Sequence, residues 1–150
     1  MILAEKQKVF DLVKKICDST VGYDAENNRY IERKNAPEDY ISDVPTDKTV
    51  GFAYEILKTL GVTESAKIQE IPLCWKNQVC IRFCIGEWSP ETNGIIFDLS
   101  AGMSYKDNTL FFLQLQVEND FQTFPVPSDD DVGIFLIQDS WKVAGNKIVE

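Results

Sequence analysis

The chain contains no histidine. That absence removes several common chemistries at once. A Ser-His-Asp triad, a Cys-His dyad and a zinc site with histidine ligands all need an imidazole. The usual general base near neutral pH is missing as well. Carboxylate or lysine chemistry is left, and no motif marks it. Basic residues are scarce too: 15 lysines and arginines stand against 24 aspartates and glutamates, for a formal net charge of −9. Nucleic-acid affinity rests on Lys and Arg neutralising phosphates, so negligible binding to duplex DNA is expected. An acidic balance favours solubility and steers the chain toward a basic partner.

Long hydrophobic runs are absent. None approaches the roughly 20 residues that span a bilayer, so no membrane partner is expected. The start, Met1 to Lys6, lacks the charged and apolar regions of a signal peptide. The expectation is a cytoplasmic protein whose four cysteines are reduced thiols. The eight glycines form no G-x-G-x-x-G, P-loop or G-x-S-x-G pattern. No cofactor is implied.

At 150 residues the chain fits one domain. A chain of that size buries about 68–70% of its unfolded surface and needs no disulfide or metal to fold. Helical and strand patterns segregate along it. The expected fold class is α+β: two N-terminal helices packed on one face of a mostly antiparallel, curved sheet of about five strands.

The first helix is expected over residues 2–18. Val9, Val13, Ile16 and Thr20 follow one stripe, widened by Ile2, Phe10, Leu12 and Cys17. Lys6, Lys8, Lys14 and Lys15 fall mainly off that stripe, as a solvated face does, or as a small basic patch that pairs with an acidic loop or a twin subunit. Residues 19–46 read as polar and irregular, with a short strand possible at Arg29–Arg33 and with Tyr23, Tyr30, Tyr40 and Ile41 to pin the segment down. A second helix is expected over 47–60, capped by Thr46 or Asp47 and closed by Gly61. Its stripe is Val50, Ala53, Tyr54, Leu57 and Leu60, with Phe52 and Ile56 on a flank.

Residues 66–117 carry the sheet. Taking Lys76-Asn77 as a two-residue turn sets Trp75 opposite Gln78, Cys74 opposite Val79 and Leu73 opposite Cys80. One face of this hairpin then holds Pro72, Cys74, Val79, Ile81, Phe83 and Ile85. The other holds Ile71, Leu73, Trp75, Cys80, Arg82, Cys84 and Trp88. A hairpin apolar on both sides is usually covered on both. Helices cover the first side. A loop, the sheet curving on itself, a ligand or another subunit is left for the second. Further strands are expected within Gly94–Ser100, at Thr109–Val117 and at Gly133–Asp139. Trp141 and Val143 tuck under the end, and the tail from Gly145 frays.

The candidate sites follow from this plan. Trp75, Arg82, Cys84 and Trp88 share the second hairpin face, and Trp and Arg are enriched where partners bind. A reactive Cys80 or Cys84 beside Arg82 is the sharper reading, since a cation activates a thiol, but it would lack a base partner. The cysteine spacings do not match a zinc site, so the cysteines read as small core residues and no metal is implied. Asp129, Asp130 and Asp131 form an acidic loop that lacks the calcium-loop spacing and reads as a solvated turn. The leading expectation is a non-enzymatic, acidic, cytosolic protein-binding module of inhibitor, immunity-type or chaperone-like role, working through the sheet face or the acidic loops. The alternative is a small-molecule-binding protein or enzyme whose curved sheet encloses an apolar pocket. The partner is a protein or a second copy of the chain; a homodimer through Trp75 or Trp88 would cover the second face.

Overall fold

The computed structural model describes residues 1–19, 21–24, 26–32, 46–62, 65–71, 77–85, 95–104, 109–117 and 137–150. Two helices, α1 (Leu3–Ser19) and α2 (Asp47–Thr59), lie before a six-stranded antiparallel sheet. Its strands are β3 (Ala66–Glu70), β4 (Gln78–Ile85), β5 (Ile95–Met103), β6 (Leu110–Val117), β7 (Ile137–Ala144) and β8 (Lys147–Val149), hydrogen-bonded in sequence order. The sheet is open and curved, and the class is α+β. A separate two-stranded sheet joins β1 (Val21–Asp24) to β2 (Arg29–Glu32).

The helices form where the apolar spacing puts them. α1 buries Val9, Phe10, Leu12, Val13, Ile16 and Cys17, a stripe wide enough to face both α2 and the sheet. Ile2 stands before the first turn and is 64% exposed, so it does not widen that stripe. The off-stripe lysines contact the chain itself. Lys8 Nζ is 3.8 Å from Glu55, and Lys6 and Lys15 lie over the rings of Trp141 and Phe52. α2 begins at the Thr46 cap, whose hydroxyl accepts from the Thr49 N–H at 3.2 Å. Gly61, at φ 81°, ends it.

The buried stripe of α2 is turned from the expected one. Thr49, Ala53, Ile56 and Leu57 are buried, while Tyr54 is 41% exposed. Two hydrogen bonds account for the turn. Thr49 shares its hydroxyl with that of Thr46 at 3.0 Å, so its burial leaves no polar group unmet. The Tyr54 hydroxyl accepts from the Ile68 N–H on the edge strand β3 at 3.1 Å, and that needs a position at the rim.

The inner face of the sheet is the core. Val79, Ile81, Phe83, Phe97, Leu99, Ala101, Phe111, Leu113, Leu115, Trp141, Val143 and Ile148 alternate inward along β4 to β8 and meet the helix stripes. Phe83 stacks on Phe97, and Phe111 stacks on Trp141 with Phe10 edge-on beneath α1.

Three features depart from the expected plan. First, the β3–β4 register is broken. Ile68 pairs with Phe83, but Glu70 pairs with Arg82, so a bulge at Gln69 sets two β3 residues against one step of β4. The parity of the pleat flips there. Ile71, expected on the second face, is instead buried in the core cluster. Second, the sheet has six strands. The tail does not fray: Gly145, at φ 64°, opens a two-residue turn, and β8 pairs back on β7 with Ile148 buried. Trp141 and Val143 belong to β7 itself. Third, part of the segment 19–46 is regular. Beyond the expected strand near Arg29, β1 pairs with it, and Asn28 at φ 50° occupies the intervening turn. The Lys76 half of the first turn, Leu73, the loop at 89–94 and the acidic stretch 118–131 lie outside the described residues.

Each sheet edge has one outward N–H taken by a helix side chain. Tyr54 takes the outward N–H of Ile68 on β3. Gln7 takes that of Ile148 on β8 at 2.8 Å, and is itself held by Asp11 at 2.9 Å. An edge strand with its donor already engaged is a poor template for another strand.

Candidate functional site

The face of the sheet turned away from the helices carries the described candidates. Strand alternation puts Cys80, Arg82 and Cys84 there from β4, because Val79, Ile81 and Phe83 point into the core. The antiparallel register then aligns Glu70, Arg82, Asp98 and Gln116 in one row across four strands. It is the bulge at Gln69 that brings Glu70 into this row.

The row is an ion-pair chain. Arg82 Nε donates to Asp98 Oδ1 at 2.9 Å, and Arg82 Nη1 donates to Glu70 Oε1. Asp98 is only 8% exposed. A carboxylate buried to that degree costs several kcal/mol unless a charge and hydrogen bonds compensate it, and the guanidinium supplies both. Arg82 is thus occupied on two sides by carboxylates. It is not an uncommitted cation for a neighbouring thiol or an incoming anion.

The next rows hold the thiols, Cys84 in register with Lys67 and Cys80 in register with Ser100. Gln69 Nε2 donates to Cys84 Sγ at 3.0 Å, and Cys84 is 1% exposed. Ser100 Oγ donates to Cys80 Sγ at 3.8 Å, with Cys80 half-buried. Cys84 and Asp98 are closed off within this single chain, without any second subunit. Further along the same face the surface opens. Gln114 and Gln116 on β6 and Ser140 and Lys142 on β7 are exposed, with Leu110 and Phe112 half-buried between them. Of the expected site residues, the structure sets Arg82 and Cys84 two positions apart on one face of β4. Trp75, Trp88, Asp129, Asp130 and Asp131 lie outside the described residues. Among the described residues, no three acidic or cysteine side chains gather as metal ligands, and no helix is long and apolar enough to cross a membrane.

Asp98 and Glu70 were not singled out from the sequence. A signal for Asp98 was there: a lone carboxylate inside the apolar run Ile95 to Leu99 demands a counter-charge. Arg82 is the one cation in the neighbouring strand β4. Nothing in the sequence announced Glu70, because its place depends on the bulge.

A cleft of about 320 Å³ lies on the helix side, between α1 and the β7–β8 turn. Its floor includes Phe10, Val13 and Phe111, and its rim includes Lys14, whose ammonium donates to Asn146 Oδ1 at 2.9 Å. The floor residues are nearly fully buried, so little apolar surface is offered.

Comparison with protein-family models, with curated proteins and with solved structures finds no match for this chain.

Proposed function

We propose that the protein is a non-enzymatic, acidic, cytosolic protein-binding module that engages its partner through the open part of the outer sheet face. The observation that carries this is the charge arrangement there. Arg82 is neutralised within the face by Asp98 and Glu70. The neighbouring surface offers neutral Gln114 and Gln116 beside half-buried Phe112 and Leu110. Amides beside half-buried aromatic carbon, flanked by a paired ionic row and by exposed Lys142, suit a mixed polar and apolar interface patch. A face-on mode is favoured over strand addition, since one outward N–H on each edge strand, Ile68 or Ile148, is already held by Tyr54 or Gln7. The net charge of −9 favours a partner with a basic rim. That partner is another protein or a second copy of this chain.

The test uses a variant that changes only exposed positions of that face, Gln114→Arg with Gln116→Arg. Affinity purification with the wild-type chain retains a partner that this double variant loses. A control, Lys58→Glu on the exposed side of α2, keeps it. Light scattering of the pure chain tells a second copy from a different protein. Identical sets of retained proteins for wild type and the outer-face variant, together with an unchanged mass, would overturn the reading.

A further inference from the structure

We draw no further inference here: the strongest candidate, the cleft between α1 and the β7–β8 turn, has a floor of Phe10, Val13 and Phe111 already closed by the chain's own packing and a rim ammonium on Lys14 already held by Asn146, so nothing in it selects the chemistry of a ligand.

Discussion

Along β4, β5 and β6, one residue separates two environments. Phe83, Phe97 and Leu115 point inward and are almost completely buried beneath the helices. Arg82, Asp98 and Gln116, one step away on the same strands, point outward and stand in one row of the sheet. The inner face is held by contacts that are individually weak, non-directional and numerous. The outer row is held by a few directional, charge-assisted bonds. The two kinds of cohesion fail differently. An inner-face truncation loses transfer energy and leaves a cavity. An outer-face truncation costs little where water can replace the partner, and more where it strands a buried charge.

The largest effect is therefore expected on the inner face. Phe83→Ala removes a fully buried ring stacked at 5.3 Å on Phe97. It should lower unfolding free energy by about 4 kcal/mol, read as a reduced urea midpoint at unchanged slope. A loss below about 1 kcal/mol would show that the inner face repacks freely and would erase the contrast.

Gly102 is the place where the outer face should behave like the core. A Cβ there would stand 2.5 Å from the Asn77 carbonyl oxygen and 2.6 Å from Gln78 Cα, both backbone atoms. Gly102→Ala should cost roughly 2–3 kcal/mol through forced separation of β4 and β5. Thermal unfolding measures it, and an unchanged midpoint would mean the strands do not cross so closely.

Asp98→Ala comes next, at about 2 kcal/mol, because it leaves a half-buried guanidinium with Glu70 as its remaining carboxylate in the row. The paired change Arg82→Met with Asp98→Leu should recover most of that loss, since a well-packed apolar pair often replaces an ion pair without cost. A double variant less stable than the single one would instead make the ion pair a net stabiliser. The mildest change is Gln116→Ala, which should alter stability by less than about 0.5 kcal/mol in chemical denaturation. A larger loss would mean the open part of the outer face carries structure of its own.

The periodic parts of the fold were legible before any coordinates. The 3.6-residue stripe of α1, the Thr46 cap of α2 and the two-residue alternation of β6 are local patterns, each set by neighbours a few positions apart. The absence of histidine and the excess of acid are likewise read from the sequence alone. The register of β3 was not legible. A bulge is a one-residue accommodation between two strands, and Ala66 to Glu70 carries no glycine or proline to announce it. The strand β8 was missed because three residues are too few for a periodic signal, and Ile148 gains its meaning only by landing beside Val143.

Chain order and residue type determined which segments become helices and strands, which faces are apolar and which chemistries are unavailable. The tertiary structure alone decided that Ile71 is core, that Tyr54 turns to the rim, and that Glu70, Arg82 and Asp98 meet. Those outcomes depend on contacts between residues 12 to 16 positions apart, across separate elements. A side chain with two acceptable environments goes where its hydrogen bond or charge finds a partner, and that partner exists only once the strands and helices have come together.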